Sequence, residues 1–276
     1  MTRHRRRVGF LERTAGGLRE VVERVAYAEQ TAAAGGVLQR LDPRVKVAGL
    51  LSLVVATTMA RTVTGIVTVS IVALVLAACS RLSVRALASS VWLGALAFSG
   101  VIALPACVLT PGRVLVRLPG LHWPVTAQGL TTAAYLVLRV ETAATLAALL
   151  VLTTPWAHVL KAMRSLRVPA IVVVVLGMTY RYVLLLLETA HEMVESRRSR
   201  LVGRLSGADG RRLAAATAGV LLDRTMQMGS DVYLAMQARG FRGEVHVLED
   251  FRMERRDWAA VIGFGALTAA TIWIGR

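Results

Sequence analysis

The sequence is short of most residues that carry soluble chemistry. It has two cysteines in 276 residues, Cys79 and Cys107, and both lie inside apolar runs. A disulfide framework needs an even set at loop spacings in an oxidising compartment, so these two are expected to be buried structural thiols. Aromatic residues make up 5% of the chain. No basic patch is interleaved with exposed aromatics, which argues against a nucleic-acid partner. The five histidines, His4, His122, His158, His191 and His246, show no metal-ligand spacing. H-E-x-x-H and C-x-x-C are missing, and so is G-x-x-x-x-G-K-[ST], so the chain is not expected to bind ATP itself. The paired aspartates by which membrane prenyl and phosphatidyl transferases hold Mg²⁺ are missing too. These absences argue against an enzyme, and no cofactor is expected. Acid is scarce as well: 17 Asp and Glu face 33 Lys and Arg, a net charge of +16.

What is present is apolar length. Hydrophobic residues make up 55% of the chain and the mean hydropathy is +0.57; soluble domains sit near 45–50% apolar. The excess is concentrated in runs nearly free of charge: Val45–Ala60, Gly65–Ala78, Val84–Leu109, Leu130–Leu152 and Ala259–Ile274. A hydrocarbon core about 30 Å thick asks for around 20 apolar residues at 1.5 Å rise, and shorter runs span with help from flanking residues. The arginines cluster beside these runs, as positive-inside loops do. The chain therefore reads as an all-α polytopic membrane protein with about five transmembrane helices. It is expected in the plasma (inner) membrane, in contact with the lipid bilayer, with the N-terminus cytoplasmic. The basic start, Met1 to Arg7, is followed by a stretch too short and charged for a signal-peptide core.

Along the chain, residues 9–30 read as an amphipathic surface helix, with Leu11, Leu18, Val21, Val22 and Val25 at helical spacing. Asp42 is a good N-cap and Pro43 a good first helical residue for span one, which ends near Ala60. Span two ends near Cys79, span three near Thr110, and span four covers about Gly129 to Thr154. Pro111 to Gln128 reads as an irregular linker. Arg139 and Glu141 lie inside span four, where ions are costly. Their spacing puts them on different faces, and a structural pairing with other spans is preferred over a transport role. The expected organisation is an amphipathic segment at 1–40, a four-span region at 41–154, a cytoplasmic helical domain at 155–257 and a last span at 258–276.

Ala170–Leu187 is long enough to cross. If it crosses, the arginines from Arg197 to Arg256 fall outside, against the charge rule. Two readings are open: a long apolar helix buried at the cytoplasmic face, which is preferred, or a span count that differs by one. Beyond it the chain stays helical to Arg200, turns at Gly203, Gly207 and Gly210, and forms a second helix from about Arg211 to Arg239. Small residues, Ala133, Ala134, Ala143, Ala144, Gly263 and Gly265, suit close and movable helix packing.

Two short motifs end the two polar helices: Arg197-Arg198-Ser199 and Ala238-Arg239-Gly240. On periodicity alone each arginine complements a helix dipole. Together with Leu41-Asp-Pro-Arg-Val-Lys46, Thr179-Tyr-Arg-Tyr182, Arg197-Arg-Ser-Arg200, Tyr233-Leu-Ala-Met-Gln-Ala-Arg-Gly-Phe-Arg-Gly243 and Glu249-Asp-Phe-Arg252, they give a resemblance over nearly the whole chain. The chain resembles the transmembrane T component of energy-coupling factor (ECF) importers, cobalt/nickel branch, the CbiQ type. That resemblance implies a cytoplasmic pair of long coupling helices, each docked into one of two ABC-type ATPase subunits that bind the ATP. It also implies a separate substrate-binding membrane S component that carries the specificity for cobalt or nickel. Carried over, Arg198 and Arg239 are the anchors, and Ser199 and Gly240 shape their helix ends. Arg197 stands where the family often has alanine, which leaves the first anchor to be chosen among Arg197, Arg198 and Arg200. The rival readings are a conventional permease that forms the substrate pathway itself, and the T component of a vitamin importer.

Overall fold

A computed structural model describes residues 10–32, 35–80, 82, 91–111, 113–117, 124–200, 207–241 and 253–274. The described residues form nine helices and one short ribbon: α1 (Phe10–Ala32), α2 (Pro43–Met59), α3 (Val63–Cys79), α4 (Leu93–Leu109), β1 (Val114–Arg117), β2 (Pro124–Thr126), α5 (Ala127–Thr153), α6 (Trp156–Ser165), α7 (Ala170–Arg200), α8 (Gly207–Ala238) and α9 (Arg255–Ile274). The chain is an all-α polytopic membrane protein. The helices α5, Ala170–Arg197 of α7, and α9 are long and apolar enough to cross a bilayer, and α3 and Leu93–Ala106 of α4 are shorter apolar helices.

The chain divides into two compact units, Met1–Tyr27 with Arg164–Glu249, and Ala28–Met163 with Asp250–Arg276. In the second unit α5 is central and packs on α2, α3 and α4, while α9 packs on α2 and α3. The core is made by Leu50 and Leu53 of α2, Val69 and Ala73 of α3, Leu146 and Leu149 of α5, and Phe264 of α9. Outward-facing apolar residues such as Val55, Ile71, Leu104 and Ile262 are more than half exposed, as a bilayer-facing surface requires.

Local chemistry explains most element ends. Asp42 caps α2 by accepting from the Arg44 backbone N–H at 2.8 Å, with Pro43 at the first helical position. Thr126 caps α5 by accepting from the Gly129 N–H at 3.0 Å, and donates its own hydroxyl proton to the Thr110 carbonyl at 2.8 Å. Segment 36–41 closes the far end of α3: Gln39 Nε2 donates to the Ser80 carbonyl at 3.1 Å, and a Cβ on Gly36 would lie 2.8 Å from Ser80 backbone atoms.

Four expectations need correction. The stretch 111–128 is not wholly irregular: Val114–Arg117 pairs antiparallel with Pro124–Thr126, because β-branched residues at alternating positions favour a ladder. His122 and Trp123 lie outside the described residues. The free Cys79 is exposed rather than buried, since it sits on the outer side of the α3 terminus, and the Cys107 side chain is outside the described residues. The helix expected from Arg211 starts at Gly207, with Asp209 in its first turn complementing the helix dipole. Finally, Ala170–Leu187 is not buried by its own chain. No residue of its most apolar window is buried, and α7 runs unbroken for 31 residues through Thr179–Tyr182.

Close packing also falls elsewhere than expected. Gly263 and Gly265 face open space, whereas a Cβ on Gly49 would lie 2.5 Å from the Phe264 ring. Gly49 is what lets α2 approach α9. Gly49→Ala is therefore expected to destabilise the bundle by about 1–3 kcal/mol through overpacking. Adding Phe264→Leu should recover part of that loss, as read by the fraction of monodisperse protein surviving a heating series in detergent.

Candidate functional site

The first helix end is the last turn of α7. Arg197 is half-buried, Ser199 and Arg200 are exposed, and the side chain of Arg198 lies outside the described residues. The Ser199 hydroxyl donates to the Ser196 carbonyl at 2.8 Å, so it satisfies a local carbonyl. Arg197 and Arg200 line a cleft of about 780 Å³ with Asp209, Arg212 and Leu213 of α8. Three guanidinium groups around one carboxylate give the cleft positive character and spare N–H donors, which suit a carboxylate-bearing partner. Arg212 and Asp209 were not among the sequence candidates. The only signal for them was Asp209 sitting where a helix N-terminus attracts acid.

The second helix end is better defined. Gly240 takes a left-handed conformation with φ +71°. The Phe241 N–H donates to the Met236 carbonyl at 3.0 Å and the Gly240 N–H to the Gln237 carbonyl at 2.9 Å. These two bonds make a Schellman cap, and glycine pays no Cβ penalty at its left-handed position. Ala238, Arg239 and Gly240 are exposed, so the cap presents Arg239 at the tip of a 32-residue helix. A Cβ on Gly240 meets nothing within 4 Å, so Gly240→Ala is strained by its backbone alone. It should cost about 1–2 kcal/mol locally, and hydrogen exchange should show the last turn of α8 fraying with no loss elsewhere.

Along α8, Leu221, Met228, Val232 and Met236 form the half-buried stripe, while Met226, Tyr233 and Leu234 are more than three-fifths exposed. An exposed apolar face on a helix this long is unusual for a chain acting alone.

The intramembrane ions do not pair with each other. Arg139 donates through Nη2 to the Ala60 carbonyl at 2.9 Å and to the Tyr135 hydroxyl at 2.8 Å, with its guanidinium 4.6 Å from the centre of the Tyr135 ring. Ala60 ends α2, so Arg139 caps an orphan carbonyl at a helix C-terminus, where a cation is favoured. Both carboxyl oxygens of Glu141 are buried without a hydrogen-bond partner among the described residues.

A buried polar knot ties the other ends of α2, α5 and α9, and sequence reasoning found only part of it. Asp257 is 3% exposed. One of its oxygens accepts from the Glu254 N–H at 2.8 Å, reaching back over the first turn of α9 as one half of a capping box does. The other accepts from the Asp42 N–H at 2.8 Å. Lys46, 1% exposed, donates to the Thr153 carbonyl at 3.0 Å and so caps α5. Leu41-Asp-Pro-Arg-Val-Lys46 is thus a structural clasp: Asp42 and Pro43 start α2, the Asp42 backbone holds α9, and Lys46 holds α5. Among the described residues, no three histidine, cysteine, aspartate or glutamate side chains gather in one place.

The comparisons agree with this architecture. The family model described as cobalt transport protein, CbiQ, matches residues 35–247. An uncharacterised protein of Methanocaldococcus jannaschii is 32% identical over 244 residues, covering 87% of this chain and 84% of that protein. The cobalt transport protein CbiQ of Rhodobacter capsulatus is 31% identical over 153 residues, covering 55% of this chain and 62% of that protein. The matched region takes in the Leu41–Lys46 clasp, the long apolar α7 and both arginine-tipped helix ends, and on that ground the chain belongs to the CbiQ cobalt transport protein family.

Proposed function

We propose that this chain is the transmembrane coupling subunit of an ATP-driven ECF-type importer for cobalt or nickel, working at the plasma membrane with its N-terminus in the cytoplasm. On this reading two ABC-type ATPase subunits bind and hydrolyse ATP, and a separate membrane S component binds the metal. The chain itself is not a catalyst: it passes motion from one to the other.

The observation that carries the reading is the capped, exposed Arg239 at the tip of α8. A helix end fixed by a Schellman cap holds a guanidinium in a defined direction, ready for bidentate contact with a carboxylate or carbonyls on another protein. The end of α7, with Arg197, Arg198, Ser199 and Arg200, supplies the second contact. Two anchors that ride on two moving ATPase subunits change their spacing when those subunits close. Coupling requires such differential contact between two states. The apolar surfaces that α7 and α8 leave uncovered fit a chain that passes the motion to further membrane subunits.

The test is co-purification. A tagged wild-type chain should retain both ATPase subunits through affinity and size-exclusion steps, while a chain carrying Arg239→Ala should lose most of one of them. Full retention of both subunits by the variant would count against the reading.

A permease reading draws on Glu141, whose buried carboxyl oxygens have no partner among the described residues. It requires the isolated chain to bind Co²⁺ or Ni²⁺. Calorimetry on the purified chain decides: saturable metal binding lost in Glu141→Gln would favour the permease.

A further inference from the structure

A groove of about 560 Å³ runs between α3 and α9, beneath the segment that joins α1 to α2. Its mouth carries Arg40 and Arg256, and below them the wall is apolar, with Val72 and Leu76 from α3 and Gly263 and Leu267 from α9. Arg40 is exposed, and the Arg256 side chain is half exposed. Arg256 contacts the equally exposed Glu254 at 2.7 Å through one Nη, which leaves its other N–H donors available.

The groove has a defined depth. Arg256, Ala260, Gly263 and Leu267 follow one face of α9, and at about 1.5 Å per residue the distance from Arg256 to Leu267 is about 16 Å. The mouth lies at the end of the bundle where α2 and α9 begin and α3 and α5 finish, which also carries Arg44 and Arg255. That is where apolar helices give way to charge, hence the headgroup level of a bilayer.

We propose that this groove binds one anionic phospholipid, with its phosphate against Arg40 and Arg256 and one acyl chain lying along Val72, Leu76, Gly263 and Leu267. Charge and layout select this occupant. An amphiphile with an anionic head matches an apolar wall that ends in two guanidinium groups. Gly263 makes the room: a Cβ there meets no atom within 4 Å, so the groove floor is left open by the missing side chain.

The experiment uses the full chain in detergent with a phosphatidylglycerol that carries a photoreactive group in one acyl chain. Mapping of the labelled peptides should place the label on Val72, Leu76 or the 260–267 stretch. Phosphatidylglycerol should compete with the probe at least tenfold better than phosphatidylcholine. Gly263→Leu puts a side chain on the groove floor, where its first carbon meets no atom within 4 Å, and should cut labelling at least tenfold. Arg40→Gln with Arg256→Gln should abolish the preference for phosphatidylglycerol while apolar labelling persists. Labelling of the wild-type chain away from the groove would overturn the proposal whether or not the variants fold. So would equal competition by the two lipids, or crosslinking of Gly263 positions to another protein subunit in membranes.

Discussion

Asp257→Ala should be the most damaging single substitution in the transmembrane bundle. The carboxylate accepts the Glu254 N–H with one oxygen and the Asp42 N–H with the other, each at 2.8 Å, in a site 3% exposed. Removing it leaves two backbone donors with no partner where water does not reach. Each such loss costs about 1–3 kcal/mol, so about 2–6 kcal/mol is at stake. The damage does not stay local, because Asp42 also starts α2, and Lys46 on the next turn holds the end of α5. Asp257→Asn should restore only one of the two acceptors, since its amide nitrogen is a donor facing an N–H. The expected order of survival in a heating series, read by size exclusion of the intact chain, is wild type, then Asn, then Ala. Equal survival of all three would show that the knot is not a hub.

The outline of this knot was legible in the sequence and its centre was not. Asp42 and Pro43 carry signals that act within four residues, and those signals gave the correct start of α2. A lysine beside an apolar run suggests headgroup level by its charge, yet Lys46 is fully buried against the Thr153 carbonyl, a partner 107 residues away. Asp257 falls at the end of the helical domain expected at 155–257, because its charged neighbours set the local average, while the Asp42 N–H it accepts lies 215 residues upstream. Hydropathy placed four of the five apolar runs within a few residues of a helix, since length and hydropathy are local properties, while the start of Val84–Leu109 lies outside the described residues. Hydropathy could not choose which glycine allows contact. Gly263 and Gly265 looked like packing residues by their spacing, but the close approach is at Gly49, and that is fixed by the position of Phe264 in three dimensions.

The same division holds at the helix tips. Gly240 announced its role, because a glycine directly after the last periodic residue is the local signature of a left-handed cap. The end of α7 carries no comparable signal: three arginines crowd four positions, and the residues facing Arg197 and Arg200 come from the start of α8. A cleft assembled from two segments has no sequence spacing to betray it.

Arg198→Glu combined with Arg239→Glu is expected to reduce metal uptake to background, at least a tenfold loss, while the chain still inserts and accumulates in the membrane. Arg239 is exposed and takes no part in the Schellman cap through its side chain, so its reversal should leave α8 folded. The loss should therefore come from docking: a site built to hold a guanidinium against carboxylate or carbonyl oxygens repels a carboxylate. Arg224→Glu makes the same charge change on the exposed middle of α8 and should leave uptake within about twofold. Gly240→Ala should fall between, since fraying the last turn blurs the direction of Arg239 without removing its charge. This ordering separates a directional anchor from a general electrostatic attraction, under which Arg224→Glu and Arg239→Glu would weaken uptake alike. Full uptake in the double variant would remove the coupling reading, and it would leave the polar knot and the lipid groove untouched, since both belong to the other unit of the chain.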